Sequence, residues 1–471
     1  MINLSKRCPT ASAYRILLLV CLTSSVGLVA QIPQKGNTAY TLDTMHKHLQ
    51  EAEEGTWYVR ISDVAENRDI FDFRGDTPAI PASNQKLVTA VAALMTLGPA
   101  HRARTEVYAT GPIEDGTLHG DLLFRGFGGV HFTGRYPRSA TPKEKNDRLR
   151  LQAQRMIRAL HDAGIRRVDG KITTDTTRWS DMVSNEHYPC AHGLSFNENT
   201  VDVHVVDSSI RSVPMAVSGF LVEPSGNASG QARRGKSDMI LVNSSVDGYD
   251  YWRLEHNQPS DVYAHHIRRQ LQLHGIMVMG QEQPAVAETA VGRLKSLSIE
   301  ELIIPMGVYS DNFRAEMLYL TLGFEGFDSA NYATGQAAIL AGLQRIGFPL
   351  EGLVPADGSG LSYENRVSPG QLVYILNMLN ESKYREILRR MLPVAGESGT
   401  LEKRFLEHRA RNNLQAKTGT LKSVVSLSGF ITTEQGNLLS FSMIANHVKD
   451  HDACWQTIER FADLMLDLRL E

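Results

Sequence analysis

Both secondary-structure periods run through this chain, and together they predict a mixed α/β protein in more than one domain. Three observations carry that expectation. Apolar residues recur at helical spacing in Leu87, Val88, Val91, Leu94 and Leu97, and helical periodicity dominates again across residues 302–406. Strand-like alternation marks residues 57–61 and 423–445. The 471 residues exceed one ordinary domain, and residues 105–295 differ in character from both ends, with short strand-like pieces prevailing.

The first thirty residues stand apart. Lys6, Arg7 and Arg15 give a positive start, Ile16 to Leu22 is an uninterrupted apolar run, and weaker apolar residues continue to Ala30. This pattern predicts a secretory signal over residues 1–30, cleaved between about residues 26 and 32. Thr23, Ser24 and Ser25 break the run before it reaches the length of a membrane span. Cys21 leaves a lipid anchor open, although Val20 before it fits that signal poorly. An exported protein in the periplasm or cell envelope, soluble or loosely membrane-associated, is therefore expected. Cys8 and Cys21 fall in this segment, so Cys190 and Cys454 remain; two cysteines make no disulfide framework, and whether they pair is open at this point.

Next comes a short helix over residues 41–52, then a strand at Trp57, Val59 and Ile61, a polar turn, and a returning strand at Ile70, Phe71 and Phe73. Pro81 precedes the helix of Leu87 to Leu97, which Gly98-Pro99 stops. In the middle stretch, residues 120–125, 171–174 and 201–206 read as strands and 226–236 as an exposed loop. Helices fit residues 262–273, 312–322, 335–346 and 369–379. The chain closes with strands over 423–432 and 438–445, a turn at Glu434 to Asn437 between them, and an amphipathic helix over 455–468. The formal net charge of −3 and the lack of any basic stripe exclude a nucleic-acid partner.

Three short motifs carry chemistry. Ser83-Asn84-Gln85-Lys86 is the only Ser-x-x-Lys, and it lies where a helix begins, so hydroxyl and amine share one face. Serine is a poor nucleophile until a base takes its proton, and a lysine serves if burial or a nearby charge lowers its pKa. The helix N-terminus also offers backbone N–H groups to an oxyanion. Lys417-Thr418-Gly419 is the only Lys-Thr-Gly and precedes a strand, which places an ammonium at a sheet edge where glycine permits close approach. Ser310-Asp311-Asn312 opens a helix. Taken singly, each is explained by a cap or a solvated lysine. Their order is what matters.

Ser-x-x-Lys, Ser-x-Asn, Lys-Thr-Gly in that order resembles the signature of penicillin-binding proteins and serine β-lactamases. Pro81-Ala-Ser-Asn-Gln-Lys86, Asp357-Gly-Ser-Gly-Leu-Ser362, Leu392-Pro-Val-Ala-Gly396, Gly399-Thr-Leu401 and Ala416-Lys-Thr-Gly-Thr-Leu421 sharpen the resemblance to the class C low-molecular-mass penicillin-binding proteins. These form the D-alanyl-D-alanine carboxypeptidase/endopeptidase family, peptidase S13. Trp179 with Asp181, Asn197-Glu-Asn199 and residues 271–280 fit the family more loosely. Where relatives carry Gly-Asp-Pro, this chain has Gly126-Phe-Gly-Gly-Val-His131, which leaves open how the middle region assists substrate choice.

The resemblance implies a transpeptidase-like catalytic domain of residues 31–104 and 296–471, with an antiparallel sheet flanked by helices. Residues 105–295 would form a β-rich inserted domain, with a nested sub-domain near 206–253; Ser83 and Ser310 stand 227 positions apart, further than in a compact β-lactamase. It implies Ser83 as nucleophile, Lys86 as its base, Ser310 as proton relay and Asn312 as a substrate-amide contact. Lys417 and Thr418, beside Gly419, would hold a terminal carboxylate, and the N–H groups of Ser83 and Thr420 would form the oxyanion hole. The expected partners are peptidoglycan stem peptides, with β-lactams as inhibitors; the oligomeric state stays open. Neither a metal nor a cofactor is expected: His187, Cys190 and His192, like His447, His451 and Cys454, lack four ligands at zinc-finger spacing, and Gly126 to Gly129 is no dinucleotide loop. A β-lactamase or esterase with the same motifs, and a non-enzymatic wall-binding relative, are the rival readings. No Glu-x-x-Leu-Asn is present to supply the deacylating glutamate of class A β-lactamases.

Overall fold

A computed structural model describes residues 38–470, apart from 180–182, 186–187, 207–208, 215–219, 224–231, 235–239, 244–248, 256–258 and 284–287. The expected signal segment with Cys8 and Cys21, the landmark Asp181, His187 and much of the 226–236 loop lie outside the described residues.

The chain begins with α1 (Thr38–Gln50), the hairpin β1 (Thr56–Asp63) and β2 (Arg68–Phe73), and α2 (Gln85–Thr96). It leaves this region along β3 (Arg102–Ala109) and returns along β11 (Thr289–Ser298); the two pair antiparallel from Arg102 opposite Ser298 to Ala109 opposite Thr289. Exit and entry thus run side by side. Between them lie β4 (Leu122–Gly126), β5 (Gly129–Phe132), α3 (Pro142–Asp162), β6 (Ile172–Asp175), β7 (Leu194–Phe196), β8 (Thr200–Val206), β9 (Ser209–Val213), β10 (Tyr249–Glu255) and α4 (Pro259–Leu273). The remainder supplies α5 (Ile299–Val308), α6 (Asn312–Phe327), α7 (Tyr332–Arg345), α8 (Pro369–Glu381), α9 (Arg385–Met391), β12 (Gln415–Leu421), β13 (Val424–Thr432), β14 (Leu438–Asn446) and α10 (His451–Leu466).

The two ends of the chain build one sheet. Its order is β2-β1-β14-β13-β12, and every neighbouring pair is antiparallel. Alternate residues of β14 serve two cores, as the period of a strand requires. Ile444 faces the helical core of α2, α6, α7 and α8, whereas Phe441, Met443 and Ala445 face a second core closed by α1 and α10. Strand β12, which carries Lys417, lies at the edge, where one side of its backbone is free of a partner strand.

The middle of the chain has its own core of Phe124, Phe132, Leu149, Leu160, Phe196 and Tyr263. A sheet of order β11-β3-β4-β6 crosses it. The sequence reading expected strands to dominate here and missed the 21-residue helix α3. The signal was present: Thr141 and Glu144 form a reciprocal capping box ahead of Leu149, Ala153, Met156, Ile157 and Leu160 at helical spacing. The middle region is not sealed off, since Phe127, Val130, Trp179 and Ala191 pack into the helical core shared with α2 and α6. Cys190 and Cys454 are both buried, and no disulfide joins them.

Candidate active site

Ser83 lies in a single 3-10 turn, Ala82–Asn84, immediately before α2. Ala82 adopts φ +48°, a left-handed conformation that non-glycine residues rarely hold without support from their surroundings. Gly360, at φ +88°, packs against it so tightly that a Cβ there would fall 1.8 Å from the Ala82 carbonyl oxygen. From the other side comes Gly419 of β12, where a Cβ would lie 2.9 Å from the Ser83 nitrogen. The strand can therefore approach the Ser83 backbone only because residue 419 is glycine.

Lys86 follows one turn later and is fully buried. Its Nζ contacts three oxygens: Ser83 Oγ at 2.8 Å, Asn312 Oδ1 at 2.7 Å and the Ser359 carbonyl at 2.7 Å. The amide and carbonyl oxygens only accept, so Lys86 donates to both. That leaves one position on nitrogen, which holds a proton in the ammonium and a lone pair in the neutral amine. The lone pair then points at the Ser83 hydroxyl. Burial lowers the Lys86 pKa from its ordinary value to about 8, opposed in part by the charges of Asp357, Glu316 and Asp311.

Helix α6 delivers Asn312. The Asp311 carboxylate caps it by accepting from Arg314 N at 3.2 Å, and Asn312 is the first helical residue. Ser310 stands one step outside, at φ +55°. It accepts from Lys417 Nζ at 3.0 Å, and Lys417 also donates to the Thr418 carbonyl at 2.7 Å. Lys417 is fully buried; desolvation, together with repulsion from Lys86, pushes its pKa well below the ordinary lysine value. The Thr418 hydroxyl donates to Thr400 Oγ1 at 2.8 Å. All three motifs therefore meet on one cleft of about 1030 Å³, with Ser83, Ser310, Asn312, Thr418 and Thr420 on its wall.

Several neighbours of these residues had been given no role from the sequence. The loop from Asp357 presents the Ser359 carbonyl to Lys86, and Asp357 itself accepts from Gly360 N and Ser362 N, each at 2.7 Å. Glu316, one helical turn after Asn312, accepts from Ser359 N at 2.8 Å and Gly358 N at 3.3 Å. Burial, and then the neighbouring Asp357, raise the Glu316 carboxyl to about 8. The sequence holds a signal for Glu316, because residues 312 and 316 share a helical face.

The middle region reaches the same helix through buried charges. Glu198 lies in a left-handed turn in which Asn197, Glu198 and Asn199 all have positive φ. It pairs with Arg135 at 2.5 Å and with Arg314 at 3.0 Å. Tyr136 donates to Asp311, and its ring stacks on Tyr309 at 5.1 Å. Burial works against the Asp311 charge, but Arg135 and Arg314 overcome it and hold the carboxyl below its ordinary value. Arg135 and Arg314 thus face Glu198 and Asp311, the pairing that buried charges require. Among the described residues, no group of three or more His, Cys, Asp and Glu is placed to hold a metal ion.

The backbone superposes on the crystal structure of penicillin binding protein 4 from Haemophilus influenzae with a TM-score of 0.70, at 22% identity, over 90% of this chain and 99% of that one. The fold is thus that of a penicillin-binding protein. The sequence model of the D-Ala-D-Ala carboxypeptidase 3 (S13) family matches residues 41–210 and 250–465, and the chain belongs to that family. The break in the match falls within the region expected, from residue 206 to 253, to be nested inside the middle domain. The chain is 27% identical over 421 residues to the D-alanyl-D-alanine carboxypeptidase DacB of Haemophilus influenzae, spanning 81% of this chain and 84% of that protein. It is also 27% identical over 434 residues to the D-alanyl-D-alanine carboxypeptidase of Actinomadura sp., spanning 82% and 77%.

Proposed function

We propose that this protein is an exported serine D-alanyl-D-alanine carboxypeptidase/endopeptidase that acts on peptidoglycan stem peptides and is acylated by β-lactams. The observation that carries the reading is the Lys86 amine, fully buried, 2.8 Å from Ser83 Oγ and bonded to two obligate acceptors. It is a base whose free form is populated near neutral pH and aimed at one hydroxyl.

In this mechanism Lys86 takes the Ser83 proton as Oγ attacks the carbonyl between two D-alanines. The N–H groups of Ser83 and Thr420 hold the oxyanion. Lys417, bonded to Ser310, orients that hydroxyl to pass its proton to the departing D-alanine, and the proton that Lys86 took from Ser83 replaces it. Asn312 holds both Lys86 and the substrate amide, while Lys417 and Thr418 take the terminal carboxylate. Water then frees the acyl group from Ser83. We further propose that residues 31–104 and 296–471 form the catalytic domain and 105–295 an insert. The side-by-side pairing of β3 with β11 and the separate core of the middle region support this division. The basic and then apolar start of the sequence supports export; among the described residues no helix is long and apolar enough to cross a membrane.

Incubation with benzylpenicillin, proteolysis and mass spectrometry test the assignment. One penicilloyl mass is expected on the peptide containing Ser83, and neither adduct nor D-alanine release in Ser83→Ala. An adduct on any other serine refutes it.

A further inference from the structure

The cleft continues past Thr418 to a group that the mechanism above leaves unused. Arg404 lines it together with Thr400 and Trp455. The Arg404 guanidinium lies over the Trp455 ring, 4.5 Å from its centroid, and Trp455 is itself only 4% exposed. Among the described residues no carboxylate pairs with Arg404. Nearby Arg409, in contrast, bonds both Glu434 and Asp467.

The position of Arg404 is fixed from below. Its N–H donates to the Leu401 carbonyl at 3.0 Å. The next residue, Phe405, is 1% exposed, holds φ +61°, and donates its N–H to Glu459 Oε1 at 3.2 Å. Trp455 then supports the face of the guanidinium, a stacking that keeps the fork planar and aimed while its N–H edge stays available.

The substrate's terminal carboxylate is a full anion at neutral pH, and its complement in the cleft needs a lasting positive charge. Lys417 supplies only part of that charge, because burial and Lys86 both disfavour its ammonium. It is also committed to Ser310 and to the Thr418 carbonyl. Thr418 and Thr400, hydrogen-bonded to each other, provide hydroxyls on the same wall without charge.

We propose that Arg404, seated on Trp455, joins Lys417 and Thr418 in receiving the terminal carboxylate of the substrate, with the Thr400 hydroxyl beside them. This assignment rests on the reading of the cleft as a D-Ala-D-Ala site. It makes Arg404 the residue that distinguishes a free C-terminal acid from a neutral end, through a two-point contact that an ammonium does not reproduce.

Two D-alanyl thioesters that differ only in the leaving group test it: one made with mercaptoacetate, which bears a carboxylate, and its neutral methyl ester. Arg404→Met keeps an unbranched stem over Trp455 and removes the charge. It is expected to lower kcat/KM for the acid by about ten- to a hundredfold, the range of a lost charge-assisted contact, and for the methyl ester by less than about threefold. Arg404→Lys is expected to recover part of the loss on the acid. Equal losses on both thioesters in a variant with a native melting curve overturn the proposal and leave Arg404 a support for Trp455. Unchanged turnover of the acid overturns it too. Failure of the carboxylate-bearing thioester to acylate Ser83 in the unaltered protein is a separate result, and it would remove the D-Ala-D-Ala reading on which the proposal stands.

Discussion

Replacing Lys86 with arginine isolates proton acceptance from charge. With a pKa of about 8, roughly a tenth of Lys86 side chains are free amines at pH 7 and half at pH 8. The reactive form is the deprotonated one, so acylation should climb with pH. The expected rise is about fivefold from pH 7 to 8 and about tenfold in all by pH 9.5, where it levels. Arginine keeps a proton to above about pH 12, so fewer than about one side chain in 10⁵ is neutral at pH 7. Protonation alone then predicts a fall of about 10⁴, and any slow route that bypasses the base sets a floor; a loss of at least about a hundredfold is expected. The positive charge beside Asn312 and Ser359 persists, so an electrostatic role for Lys86 would survive the change. The assay is quenched-flow mass spectrometry of the Ser83 penicilloyl peptide between pH 6 and 9.5, with melting curves to establish that the variant folds. Guanidinium is larger and planar, so only a folded variant counts. Acylation within about threefold of normal in folded Lys86→Arg, or a native rate flat across pH 7 to 9, refutes the reasoning.

Glu316→Gln keeps the shape and one of the two acceptor oxygens that face Gly358 N and Ser359 N, and it removes a carboxyl that above about pH 8 is charged and favours the Lys86 ammonium, so the upper limb of the acylation profile should move to lower pH. The folded Glu316 carboxyl titrates near 8, above its unfolded value, so its contribution to stability is present at low pH and is lost as pH rises to 8. The Glu316→Gln melting temperature should therefore gain on the native one between pH 5 and 8; a constant difference would contradict this. Glu198→Gln leaves Arg135 and Arg314 sharing one fewer buried anion, and breaking such a pair costs about 3–5 kcal/mol, read by urea denaturation. Acylation should fall with it, because Arg314 sits two residues from Asn312; unchanged stability would show the cluster to be solvated. Gly360→Ala should cost at least about 1 kcal/mol and slow acylation, since a Cβ meets the Ala82 carbonyl beside Ser83 and the backbone is left-handed. Normal stability and rate in that variant would show that the loop moves freely away from Ala82.

Much of the catalytic cluster was legible because its signals are local. Ser83 and Lys86 share a face by spacing alone, and the structure brings them to 2.8 Å. The strands of the hairpin and of the C-terminal end announced themselves by alternation, and the helices after residue 302 by period, with ends shifted by a few residues. Helix α3 was overlooked because the short strands around it drew the reading, although Thr141, Pro142 and Glu144 mark its start. The expected helix start at Ser83 proved to be a separate tight turn, since the strained φ of Ala82 depends on Gly360, 278 positions away.

What the sequence by itself determined, therefore, is the inventory: which motifs are present, in what order, and on which kinds of element. Those properties follow from side-chain periodicity and spacing within a few turns of chain. Tertiary structure alone decided the rest. It joined residues 56–73 and 415–446 into one sheet, aimed the Ser359 carbonyl and Asn312 at Lys86, and seated Arg404 on Trp455. It also lowered the Lys86 pKa, because that depends on removal from water by groups hundreds of residues distant. No local pattern encodes such burial; only the packed chain supplies it.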